Sequence, residues 1–154
     1  MDWKDHTHLA GCIVTNLQAL ETILRYFLLR LHGQQVQFPK VEDATAAKTY
    51  LTNNMSLGPL VDEFNKALKP AESKFKVDRQ VVTIRDAIAH GRLLTDDTLP
   101  YRLWKFGKKL NGRIIIESCE ELTLDWLKAK SEMIYREKEK VVDCFKARSY
   151  EGLR

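Results

Sequence analysis

From about His8 to His32 the chain repeats apolar residues at helical spacing without a break. Cys12 or Ile13, Leu17, Leu20, Ile23 or Leu24, Phe27, Leu28 and Leu31 carry the repeat, and Gly33 stops it. No other feature constrains the fold as tightly. A stripe this wide and this long must be covered by other elements, so the helix belongs at the centre of a bundle. The stretches that follow supply its neighbours. Gln34 to Val41 is a connector with Pro39, and Ala44 to Asn53, with Glu42 and Asp43 ahead of it, reads as a second helix that Asn53-Asn54 breaks. Acidic residues at a helix start are favoured by the helix dipole. Ser56 is the N-cap expected for a third helix, with Pro59 in its first turn, where a missing amide costs little. Leu57, Leu60, Val61, Phe64 and Leu68 form its apolar face, and Lys69-Pro70 ends it. A fourth helix is expected from near Ser73 or Lys76 to His90. The last starts at Leu122 to Leu127, with Thr123 as N-cap and Leu122 and Leu127 as a hydrophobic staple, and reaches Lys146. Arg136-Glu137-Lys138-Glu139-Lys140 reads as its solvated, ion-paired face. Ser149 to Arg154 are expected to fray.

Between the fourth and last helices the pattern changes. Leu93 to Pro100 is a polar connector. Tyr101 to Phe106 and Arg113 to Glu117 are rich in aromatic and β-branched residues, and Asn111-Gly112 lies between them. That dipeptide is the strongest short hairpin signal, and Gly107 marks a candidate bulge. The fold class expected is therefore mainly α. It is a single domain over residues 1–154 of about five helices, with a β-hairpin inserted at about 101–119 before the last helix. A length of 154 residues, 44% of them hydrophobic and 30% charged, suits one such domain. Trp104 and Phe106, with Lys105, Lys108, Lys109 and Arg113, have two readings. They are core contacts and edge protection, or they touch RNA by stacking and charge.

The chain is mildly basic, with net charge +4 and pI near 8.9. That tolerates an anionic partner without requiring one. Met1 to His6 shows no secretory signal, and no apolar run is expected to span a bilayer, so the expectation is a cytoplasmic protein without a membrane partner. Three scattered cysteines, Cys12, Cys119 and Cys144, fit a reducing compartment. His6 and His8 have no acidic or cysteine partner at ligand spacing, so they are read as part of an exposed N-terminal cap. No cofactor and no metal are expected.

The candidate chemistry lies in Arg85-Asp86-Ala87-Ile88-Ala89-His90-Gly91-Arg92. Val77, Val81, Ile84 and Ile88 make one apolar stripe, and Gly91 reads as a left-handed helix stop. At about 100° per residue Asp86 and His90 stack one turn apart, well away from that stripe, with Arg85 at its edge. Val82 and Ala89 share their side, which suggests a surface that something packs against. A patch meeting its own copy is the simplest partner for it.

These residues resemble the signature of the HEPN superfamily (higher eukaryotes and prokaryotes nucleotide-binding domains): an arginine, a polar residue, and a histidine, with four to six residues between the arginine and the histidine. The resemblance covers the motif closely and the helical remainder in outline. It implies a HEPN-like bundle and a homodimer through the Arg85–His90 helix. It also implies a metal-independent endoribonuclease, acting as a toxin or defence effector, with RNA as substrate and a cognate antitoxin or other protein as further partner. Arg85, Asp86 and His90 would then be catalytic. Arginine offers paired donors to phosphate and histidine exchanges protons near neutrality. Arg79 and Arg92 would hold RNA. Many active members carry Asn after the arginine, where this chain has Asp86. The alternatives are a catalytically silent HEPN-like module that binds nucleotide or protein and dimerises, and a plain helical domain in which Arg85 and Asp86 form a local ion pair.

Overall fold

The computed structural model describes residues 3–36, 40, 42–94 and 100–148. In chain order these form α1 (Trp3–Leu31), α2 (Leu57–Ala67), a 3-10 helix (Pro70–Phe75), α3 (Gln80–His90), β1 (Arg92–Leu94), β2 (Tyr101–Leu110), β3 (Arg113–Leu122) and α4 (Leu124–Ala147). The protein is mainly helical, with one antiparallel sheet of order β1-β2-β3. Two compact units divide it. One takes residues 1–17 and 80–134, and the other takes 18–79 and 135–154. Pro39, the middle of the 93–100 connector and the expected frayed end at 149–154 lie outside the described residues.

In the second unit, Leu20, Leu24, Phe27, Leu28 and Leu29 of α1 are buried together with Leu57, Leu60, Val61, Phe64, Val141, Cys144 and Phe145. Phe27 meets the edges of Phe64 and Phe145. Gly33 closes α1 at φ +64, as expected, with its amide donating to the Arg30 carbonyl and the Gln34 amide to that of Leu29. That pair of bonds is the Schellman stop.

The helix expected over Ala44–Asn53 does not form. Thr49 and Thr52 bond locally instead: the Thr49 amide donates to Thr52 Oγ1 at 2.8 Å and the Leu51 amide to Thr49 Oγ1 at 3.2 Å. Such bonds compete with the helical ladder. The guanidinium of Arg25 then takes the carbonyls of Tyr50, Asn53 and Met55 while holding Glu21. One α1 arginine thus pairs carbonyls that an uninterrupted helix would have paired with its own amides. There are four α-helices among the described residues, not about five.

The segment from Ser73 also differs from expectation. Pro70–Phe75 is 3-10, and α3 begins only at Gln80. The Asn65 amide group clasps Val77, accepting from its N–H and donating to its carbonyl at 2.9 Å each. The Asp78 amide donates to Glu137. Backbone held extended in this way cannot continue a helix.

Glu72 anchors the 3-10 helix. It accepts from the Lys69 amide at 2.8 Å and from Arg148, whose other guanidinium donor reaches the Ala67 carbonyl. The Arg148 guanidinium, with the Lys69 amide, holds the Glu72 carboxyl down at about 2, against an ordinary 4.5. Burial, together with the nearby Glu72 carboxylate, pushes the Cys144 thiol up.

In the first unit, Ile13, Leu17, Val81, Ile84, Leu103, Leu122, Leu127 and Ile134 are buried. Thr123 caps α4 as expected, with its Oγ1 accepting from the Trp126 amide at 3.1 Å. The hairpin is also as expected. Asn111 and Gly112 take φ of 50° and 78°, the paired positive angles of a type I′ turn. Gly107 falls where the β2–β3 register slips. Two features were not anticipated. Leu93 and Leu94, read as connector, belong to a third strand, paired with Leu103 and Arg102. His6, expected to be exposed, is buried with only 1% of its surface accessible, edge-on to Tyr101. α1 starts at Trp3 rather than at His8, which carries His6 into the packed region.

The expectation about apolar runs also needs correction. By length and composition α1 could cross a membrane. In the fold its apolar stripe, from Ile13 through Leu29, is buried against protein.

A depressed carboxyl contributes stability that is present above its unfolded value and lost as pH falls toward the folded one. Glu72→Gln is therefore expected to lower unfolding free energy near neutral pH by about 1.5–3 kcal/mol, the scale for hydrogen bonds to a charged group. The gap from wild type should close between pH 4.5 and about 2. Urea titrations across that range measure it, and a gap that stays constant with pH would refute the assignment.

Candidate functional site

α3 presents its residues as the spacing requires. Val81 and Ile84 are buried, Arg85, Asp86 and Ile88 are half-buried, and Ala89 and His90 are exposed. His90 is the last helical residue, where the helix dipole favours a cationic side chain. Arg85 Nη1 donates to Asp86 Oδ1 at 2.9 Å, with side chains 32% and 41% exposed. Residues adjacent in a helix do not face one another, so this contact exists only because the long arginine reaches round. At that exposure a pair is worth about 0–1 kcal/mol. The ion pair is therefore easily exchanged for another anion.

Gly91 does something other than stop the helix by a left-handed turn. Its φ is not positive. Its amide donates to the Ala87 carbonyl at 2.7 Å, and the chain passes directly into β1. A Cβ at position 91 would collide with the Ala87 carbonyl oxygen, lie 2.6 Å from Leu103 Cδ1 and lie 3.2 Å from the Trp104 carbonyl. Glycine is needed because the Ala87 carbonyl of α3 itself stands nearest, with Leu103 and the Trp104 backbone of β2 behind it.

Of the two arginines expected to hold RNA, Arg92 begins β1 next to this site. Its guanidinium lies 5.3 Å above the Phe106 ring, and Trp104 lies parallel to that ring at 6.3 Å. Arg92, Trp104 and Phe106 thus form a cation–aromatic row on one face of the sheet, with Arg92 and Trp104 directly paired across strands. Arg79 belongs to the second unit, where it is ion-paired with Asp62 beside Lys76 and Lys140. Among the described residues no three His, Cys, Asp or Glu side chains gather as metal ligands.

Sequence reasoning missed the cavity behind the site. Ile13, Val14, Ile88, Leu93, Leu103, Leu122, Trp126 and Leu127 are among the residues lining an apolar space of about 340 Å³ in the first unit. Ile88, on the stripe, is its α3 wall. The signal was present in Leu93, whose apolar character marks strand rather than connector. Comparison with protein-family models, with curated proteins and with solved structures finds no match.

Gly91→Ala is expected to destabilise the protein by about 1–3 kcal/mol, the cost of forcing atoms into a packed site. Thermal unfolding should show a clear fall in Tm. An unchanged Tm would mean that the close approach of α3 and β2 is not a feature of the folded protein.

Proposed function

We propose that the protein is a HEPN-like, metal-independent endoribonuclease of the cytoplasm, acting through Arg85, Asp86 and His90 as a symmetric dimer, with a toxin or defence role. The observation that carries this reading is the exposed His90 at the end of α3, one turn beyond Asp86, which holds Arg85 in a weak, exchangeable ion pair. The HEPN resemblance of the motif supplies the reaction.

One His90 takes the proton from an internal 2′-OH. The 2′-oxygen bonds to the adjacent phosphorus, and the bond from phosphorus to the 5′-oxygen breaks. The leaving 5′-oxygen takes a proton from the second copy's imidazolium. The products are a 2′,3′-cyclic phosphate and a 5′-OH, and the protons balance. Acid–base assistance of this kind contributes about 10²–10⁴ in rate. Arg85 leaves Asp86 to donate to the non-bridging oxygens as charge builds on them. Asp86 holds the arginine in place between turnovers. Arg92, two residues beyond His90, holds a neighbouring phosphate. The Trp104–Phe106 row beside it offers faces for unpaired bases. A cognate antitoxin or other protein would act by covering the α3 surface.

The Arg85–Asp86 pair also favours a second reading, a silent HEPN-like module that binds nucleotide or protein. In that reading the carboxylate permanently neutralises the arginine.

The test is cleavage of mixed single-stranded and transfer RNA in EDTA. His90→Ala should slow cleavage by about 10²–10⁴, and Arg85→Ala should also lower it, both with thermal unfolding unchanged. Absence of cleavage by folded wild-type dimers would replace the nuclease with the binding module.

A further inference from the structure

We propose that β3 pairs edge to edge with β3 of a second copy of this chain, antiparallel and centred on Ile115. This inference does not rest on the ribonuclease reading. Among the described residues, the sheet order β1-β2-β3 gives β3 one neighbouring strand and one open edge. On it Ile114, Ile115 and Ile116 are 59%, 46% and 53% exposed. Successive residues of a strand point to opposite faces. Three exposed isoleucines in a row therefore mean that both faces are uncovered beside the open edge. Natural edges of this kind are blunted by charge, proline or a covering element, and this stretch has none of these within it.

The flanking charges specify the occupant. The stretch reads Arg113-Ile114-Ile115-Ile116-Glu117. Laid antiparallel on itself about Ile115, it sets Arg113 opposite Glu117 of the second copy at both ends. Ile114 then lies opposite Ile116 of the second copy, and Ile115 opposite itself. A parallel pairing sets like charges together. An antiparallel shift by one residue sets both charges against other residues. The five-residue segment thus complements a second copy of itself in one register.

The backbone agrees with that register. Leu110 and Arg113 close the two-residue turn, so they exchange hydrogen bonds with each other. Alternation then turns the amides and carbonyls of Ile114 and Ile116 toward the open edge. These are the groups that pairing about Ile115 would join. The β2–β3 register shifts twice here: Gly107 and Lys108 of β2 bulge opposite Ile115, which leaves the alternation of β3 itself unbroken, and Glu117 bulges from β3 and ends it, so pairing is confined to these five residues.

Sedimentation mass and cysteine cross-linking test it together. Arg113→Glu sets like charges face to face and should halve the mass of the wild-type assembly. Arg113→Glu with Glu117→Arg should restore it. Both positions are exposed, and the Lys105–Glu117 surface pair (3.1 Å) that the double variant loses is worth little at that exposure, so thermal unfolding should stay near wild type. In a Cys119→Ser background, Ile115→Cys should form a reducible dimer. Ile114→Cys should not, because its own copy is displaced by two residues beyond disulfide reach. His90→Ala should leave the cross-link intact, which separates this interface from one made through α3. A monomeric wild type, a mass indifferent to Arg113→Glu, or equal cross-linking at positions 114 and 115 would overturn the proposal.

Discussion

The carboxyl end of α3 and strand β2 approach so closely at Gly91 that no side chain fits between them. The first unit depends on that contact. Without a connector to absorb movement, the last helical residue and the first strand residue are fixed relative to each other. His90 is held at the helix end, and Arg92 is held in the sheet over Phe106. The three residues His90-Gly91-Arg92 therefore join the exposed imidazole of His90 to a cation–aromatic row. In a flexible loop the same residue types would pay ordering entropy on each binding event.

The second unit uses a different economy. Arg25 and Asn65 bind backbone carbonyls of segments outside helix and strand, and Arg148 binds the Ala67 carbonyl at the end of α2. Buried backbone polar groups must be paired somewhere. Here long polar side chains do the pairing, and the irregular stretches around 49–55 and 76–78 are thereby fixed. His6 is the exception in the first unit. Both of its ring nitrogens are buried, and neither has a hydrogen-bond partner among the described residues.

Periodicity revealed what packing obeys periodically. The stripe of α1, the stripe of α2, the capping of α4 by Thr123 and the Asn111-Gly112 turn were all legible, because each is set by local chemistry or by a repeating face. The segment at 44–53 was not. Its alanines favour helix, while Thr49, Thr52 and the distant Arg25 decide against it. The apolar character of Leu93 and Leu94 was in view, but their partner was not, since pairing with β2 is a tertiary fact. The motif residues were located correctly on the polar side of α3, because helix geometry fixes that. The reason for Gly91 was misread. A glycine past a helix end has two uses, a positive φ or a close approach, and only the neighbouring strand distinguishes them.

The central claim is that α3 brings a histidine and an exchangeable arginine to an RNA phosphate so that the RNA's own 2′-OH can attack. The direct test is a labelled RNA with a single 2′-deoxy nucleotide at a mapped cleavage site, incubated in EDTA. The account predicts that cleavage at that site disappears while neighbouring sites are still cut. Continued cleavage at the deoxy position, leaving a 5′-phosphate, would require water as nucleophile and would contradict the roles given to His90 and Arg85.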